Sequence, residues 1–422
     1  MTRAHLAPVV LLTLACGESL EFPDDPDTGA AGSTTDAPTT GGSDYVPGDP
    51  WPVPPSCDVD GQGGQVAWSL LQDGLSGEIA DIGATPDGAI VVAGMIRGNH
   101  TDAYVQVRER TGALVWSDQY AGAHGLNDDP MDVAVDSEGF IHVLVREAVS
   151  EIHDGDWVDV TEKLVVLRYA PDGTHVWRLE RPPVGPVYSA WGSITSFADK
   201  TVLLEARGDG SSDFSYGLMS LDRLGNIRST IVFENPGWGF HAVDADGSHC
   251  FAGERSLPSN AVFVRCFTPD GDLRWNRIEP GTDQVDAIVI GRAHEVYVAR
   301  YNYASETHRL LRYGPDGDLE WHRSLPQFTP LASVDVVMRC DGSLLVVGSM
   351  SDHEVIMPWV ARYDTQGHQL WSFQHDFEPP EHVAFGARIV ATPTGDAAIV
   401  ADYVVEDGNK TYSSTLLGYV SD

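Results

Sequence analysis

Positive charge is what this sequence has least of: 26 Lys and Arg stand against 62 Asp and Glu, a net charge of −36 in 422 residues. A field of that sign repels phosphate backbones and anionic headgroups. Nucleic acid is therefore not expected as a partner, and a membrane is expected to be reached only through an anchor. Catalytic signatures are also missing, with no His-Glu-x-x-His zinc motif, no Gly-x-Ser-x-Gly elbow and no phosphate loop. Cysteines are few, five in all, and no two are adjacent.

What is present begins with "MTRAHLAPVVLLTLACGES", where Arg3 precedes an apolar run from Leu6 to Leu14 and Ala15 stands before Cys16. The run is too short to span a bilayer and has the layout of an export signal. Its ending "LTLAC" resembles a bacterial lipoprotein signal, with Thr13 where that pattern prefers Leu. The resemblance implies that residues 1–15 are removed, that Cys16 is lipidated, and that Gly17 is compatible with delivery to the outer membrane or cell surface. The alternative is an ordinary secretory signal cut nearby. Residues 16–56 are rich in Pro, Gly, Ser, Thr and Asp and hold no Lys or Arg. Such a segment buries too little apolar surface to offset its ordering entropy, and a disordered tether is expected.

From residue 57 onward the chain repeats itself. "KLVVLRYAPDGTHVW" ends at Trp177 and "HRLLRYGPDGDLEW" at Trp321, and related phrases close at Trp68, Trp116, Trp275 and Trp371, with Ile227 filling the gap. The intervals of 48, 61, 50, 48, 46 and 50 residues indicate an array of supersecondary units. Between these phrases lie others such as "DVAVDSEGFIHVLV", two short strands joined by a tight turn. One unit reads as strand A at Met131–Val135, B at Phe140–Val145, C at Lys163–Tyr169 and D at His175–Leu179. Four strands in about fifty residues describe a propeller blade. Seven A–B phrases are counted, near Asp81, Asp132, Ser193, Phe240, Asp286, Asp335 and Arg388. The expected fold for residues 57–422 is thus an all-β, seven-bladed propeller, closed by pairing an N-terminal D-type strand, "GQVAWSLL", with a C-terminal C-type strand, "STLLGYV".

The stretch from Asp102 to Val145 resembles the repeats of bacterial secreted seven-bladed propellers, and the "RYAPDGTHVW" phrases resemble those of quinoprotein-like propellers. The second resemblance implies a vicinal disulfide beneath a quinone. Since this chain has no adjacent cysteines, no cofactor is expected from it.

Beyond Cys16, four cysteines remain. "HCFAGE" and "VFVRCF" are strands B and C of one blade, and pairing them about Pro258 sets Cys250 directly opposite Cys266, each eight residues away. A disulfide is expected there. Cys57 and Cys340 can pair by elimination.

In a blade, A–B and C–D turns share one face of the ring while B–C and D–A loops share the other. The tight Pro-Asp-Gly turns mark the first face. The variable segments 147–162, 208–216, 234–241 and 376–386 mark the second, where binding is expected. Trp157, Trp238 and His241 are its aromatic candidates. Counting seven residues back from each A–B turn glycine puts Asp81, Asp132 and Asp335 at one position, joined by Asp286 and Arg388 in blades whose alignment is looser. These residues would ring the channel mouth. They could hold calcium or meet a cationic or polyhydroxylated ligand, or each Asp could tie down its own D–A loop. "DADGS" at Asp244 is a fragment of calcium-loop text, too short to count as a site.

The leading expectation is a non-enzymatic, surface-tethered monomer that binds a protein or glycan through the loop-rich face. A periplasm-facing scaffold resembling the propeller lipoprotein of the outer-membrane barrel-assembly machine is a second expectation. A hydrolase or lyase using the channel-mouth carboxylates is a third.

Overall fold

Short apolar strands bounded by glycine turns can satisfy their backbone groups by pairing with their sequence neighbours, and segment 128–180 does so. Strands Asp128–Val135, Ile141–Asp154, Trp157–Tyr169 and His175–Glu180 form an antiparallel meander, matching the expected A to D in order, with B and C running longer than expected. The computed structural model describes residues 65–72, 79–97, 100–154, 157–181, 191–197, 200–208, 214–234, 238–244, 246–255, 261–281, 283–326, 334–352, 355–374, 382–393, 395–407 and 410–421. Cys16, Cys57 and the first fifteen residues lie outside them. Segment 147–162, expected as a loop, is instead an extension of the B–C hairpin, because the two strands stay paired as far as Asp154 and Trp157.

The same meander recurs over 79–120, 191–234, 238–280 and 283–324, giving five separate four-stranded sheets. Five, not the expected seven, stand alone. The other eight strands form one sheet, because a single parallel bridge between Ile356 and Val383 joins the 335–374 meander to the 382–421 strands. The expected closure is present. Gln65–Gln72 pairs antiparallel with Lys410–Ser421, from Gln65 opposite Ser421 to Gln72 opposite Thr415.

Packing runs from sheet to sheet. The B strands are apolar on both faces and buried, as at Ile90, Val91, Val92 and Ala93. One cluster joins Val91 and Val105 of 79–120 to Val133 and Leu167 of 128–180, and another joins Val264 and Trp275 to Val298 and Tyr313. Ala398 and Val400 pack on Ile82 and Ile90, so the last strands meet the first sheet. This is a β-propeller of four-stranded blades.

The repeated Trp and Gly are two halves of one contact. Gly173 sits at φ 86°, a conformation that favours glycine, within the turn closed by its N–H donating to Ala170 O at 2.9 Å. A Cβ there would lie 2.8 Å from the indole of Trp116 in the preceding blade, whose Nε1 donates to Pro171 O at 3.0 Å. Trp177 and Trp321 donate likewise to Arg223 O and Thr365 O of the next blade, at 2.9 and 3.1 Å. Cys250 and Cys266 stand opposite one another and form the expected disulfide, with Cα atoms 4.1 Å apart. Cys340 is also disulfide-bonded.

Candidate binding site at the channel mouth

The innermost strand of each meander aims its early residues into the channel. Asp81, Asp132, Ser193, Phe240, Asp286, Asp335 and Arg388 all line one cavity of about 450 Å³, together with His241, Met95 and the Asp129–Arg146 pair. The residues picked out blade by blade therefore converge on one space. Trp157 and Trp238 belong to strands, and their side chains lie outside the described residues.

Three of the four aspartates share a duty that was not expected. Asp81 Oδ2 accepts from Val133 N at 3.2 Å, Asp132 Oδ2 from Ile194 N at 2.7 Å and Asp335 Oδ2 from Ile389 N at 3.0 Å. Each acceptor lies in one meander and each donor in the innermost strand of the next. These carboxyls brace the inner wall of the ring, rather than each fastening its own D–A loop. Where Phe240 occupies the ring position, Glu254 of the neighbouring strand supplies the brace, accepting from Val285 N at 3.2 Å.

Asp286 is different for a local reason. The A–B turn of its blade has no glycine at the left-handed position; His294 takes it at φ 61°, and seven residues back from it stands Ala287. Asp286 is the extra residue of a β-bulge, since Val285 pairs with Arg300 and Ala287 with Ala299. A bulge frees its residue from the ladder and re-aims the side chain. The Asp286 side chain is 3% exposed, Oδ2 makes no hydrogen bond, and His308 Nε2 lies 3.6 Å away.

Enclosure sets the electrostatics. Burial is the largest influence on Asp286, Asp335 and Asp132. It lifts Asp286 to about 8, with the Glu254 charge adding and Arg388 opposing. Asp335 rises to about 6 through burial, against Arg388. Asp132 is held well above the usual carboxylate range by burial and then by the neighbouring Asp81 charge. Burial pushes His241 down to about 3, so its ring is neutral at physiological pH. Ser193 Oγ and His241 Nε2 are both buried without a hydrogen bond.

Sequence reasoning missed Glu254 and His308, which lie on B and C strands. A buried ionisable residue amid an apolar strand, as in "THRLLRY", was the available signal. At A–B turns of neighbouring blades, Asp244, Asp246 and His294 bring potential ligand atoms within 4.8 Å of one another, with His294 Nδ1 2.7 Å from Asp244 Oδ2.

No known family profile matches the chain, and no curated protein sequence does. Solved structures do resemble it. The polysaccharide lyase Uly1 is 10% identical, with 81% of this chain and 89% of that one covered and a TM-score of 0.52. The β-propeller domain of the Trilobed protease from Pyrococcus furiosus, which has an open velcro topology, is 9% identical over 81% and 93%, with a TM-score of 0.50. A protein of unknown function from Dyadobacter fermentans is 10% identical over 85% and 100%, with a TM-score of 0.48. At these identities the first two support the fold alone.

Proposed function

We propose that the chain is an exported, lipid-anchored propeller that presents its channel mouth as a binding site for a protruding group of a protein or glycan. One observation carries this: the ring residues contributed by the separate meanders line a single cavity of about 450 Å³, the size of a small-ligand site. In this reading the eight-stranded sheet is two blades and the ring has seven. Support comes from the core between its halves, where Leu345, Val347 and Val360 pack on Ala387, Ile389 and Ala397. Two halves of one flat sheet would have no such core between them. Cys16 is the acylated residue of this proposal, and 16–56 is the tether that holds the head off the membrane.

A second reading rests on the Asp81–Asp132 pair. Two adjacent carboxyls, with Asp132 raised well above the usual carboxylate range by burial and by the Asp81 charge, would serve acid–base cleavage of a glycoside or uronide. A glycan array separates the two readings. Binding of the full chain should be lost in Ser193→Trp, which fills the mouth, with the glycans recovered intact. Cleaved products that vanish in Asp132→Asn would establish the enzyme instead. Binding that Ser193→Trp leaves unchanged, or no glycan bound at all, would remove the glycan site from the channel.

A further inference from the structure

We infer that the channel site, if it binds as proposed above, takes an organic ammonium group attached to an apolar chain, with Asp286 as its counterion and Phe240 as its aromatic wall. Three of the four channel aspartates are already engaged in bracing neighbouring blades. Asp286 is not, because the bulge takes it out of the ladder and turns it into the cavity. Its carboxylate is almost wholly enclosed and its Oδ2 accepts no hydrogen bond. A buried acceptor without a donor is costly, and a donor that carries charge relieves more of that cost than a neutral one.

The surroundings select among donors. Phe240 lines the same cavity and keeps 39% of its surface exposed, an aromatic face open to a ligand. A carboxylate beside an aromatic face suits an ammonium, since the ring quadrupole attracts the same cation. Met95 and Ile288 supply apolar lining for the attached chain. A bare divalent cation would seek several free oxygens at once. Here the neighbouring carboxyls already accept backbone hydrogen bonds, and Arg388 stands among them.

The groups around Asp286 are Glu254, which opposes its ionisation, Arg388, which favours it, His308 at 3.6 Å, and Tyr303, whose hydroxyl burial and then the Glu254 and Asp286 charges push up. Burial keeps this carboxyl protonated through neutral pH. An ammonium must displace that proton, so its binding should strengthen with pH while a neutral ligand's should not.

The probes are hexylammonium and hexan-1-ol, of nearly equal size, measured on the full chain by ligand-observed NMR between pH 6 and 9. An alkyl ammonium stays protonated across that range, as a lysine does at a pKa of about 10.4. Hexylammonium should bind more tightly than hexanol and gain affinity as pH rises. Asp286→Asn should weaken it by about tenfold or more and abolish the pH dependence. Phe240→Ala should weaken it by about threefold, leaving the pH dependence in place. Equal binding of the two probes, both lost in Ser193→Trp, would overturn the ammonium assignment and leave the channel site standing. Binding of either probe that Ser193→Trp does not change, or no binding of either, would overturn both. The preference for hexylammonium over hexanol and its rise with pH test the ammonium assignment even if Asp286→Asn fails to fold.

Discussion

A carboxyl that holds its proton when the chain is folded and loses it when unfolded leaves a mark on stability. Asp286 titrates at about 8 in the folded chain, whereas a free aspartate titrates at about 3.9. The folded state therefore binds the extra proton, and stability is greatest below this interval and declines as pH rises through it. Most other shifted groups are silent at its upper end. His142 and His241, lowered to about 4 and about 3, are neutral in both states above pH ~7. Asp128 and Asp335, raised to about 6, have largely ionised by then. Between pH ~7 and ~8 the unfolding free energy should thus fall by about 1 kcal/mol for Asp286 alone, the limiting slope of about 1.4 kcal/mol per pH unit having halved by pH ~8. Asp132 adds a decline of the same sign where it titrates. Urea melts at several pH values would measure the slope. Asp286→Asn should flatten it and stabilise the chain at the alkaline end, and a slope unchanged by that substitution would contradict the buried carboxyl.

At the scale of elements, the Trp of one blade and the turn glycine of the next act as a matched pair. Trp116→Ala removes an indole from its seat and should cost about 3 kcal/mol. Gly173→Ala places a Cβ 2.8 Å from that indole at φ 86°, and should cost about 1–2 kcal/mol in backbone strain before any clash. With the indole gone the clash disappears, so the double variant should fall short of the summed costs by at least about 0.5 kcal/mol in urea denaturation. Strict additivity would mean that the two residues do not meet. This contact also accounts for what was legible in the sequence. Trp and the turn glycine recur because the pair is used again at Gly225 with Trp177, Gly317 with Trp275 and Gly367 with Trp321, and the same local regularity placed the strands and set Cys250 opposite Cys266. Asp286 was misplaced by one residue because His294, not glycine, holds the left-handed turn position, and an alignment made on glycines has no mark there. The bracing bonds were illegible for a related reason. They join residues 31 to 62 positions apart in sequence, and no period of apolar residues encodes which backbone N–H a carboxylate will meet.

At the scale of the whole molecule, closure rests on one strand that is distant in sequence from its partners. Gln65–Gln72 covers the Thr415–Ser421 part of the last strand, and without it that stretch would present a row of unpaired backbone groups. Sheet-to-sheet packing alone does not replace this cover, since the clusters bury side chains and leave edge hydrogen bonds unmade. Deleting residues 65–72 should therefore open the ring at one seam without unfolding any internal meander. The deleted chain should associate through the exposed edge, seen as dimers or larger species by light scattering, and should lose its single cooperative urea transition. A synthetic peptide of the sequence Gln65–Gln72 should return it to the monomer by adding back the missing strand. A deleted chain that stays monomeric with an unchanged midpoint would show that sheet-to-sheet packing closes the ring and that the terminal strand is dispensable. The channel site gives the same experiment a second reading. Its lining comes from innermost strands held in register by their neighbours all the way round, so a seam opened between 382–421 and 79–120 separates Arg388 and Asp335 from Asp81. Probe binding and the monomeric state should then be lost together and restored together by the peptide.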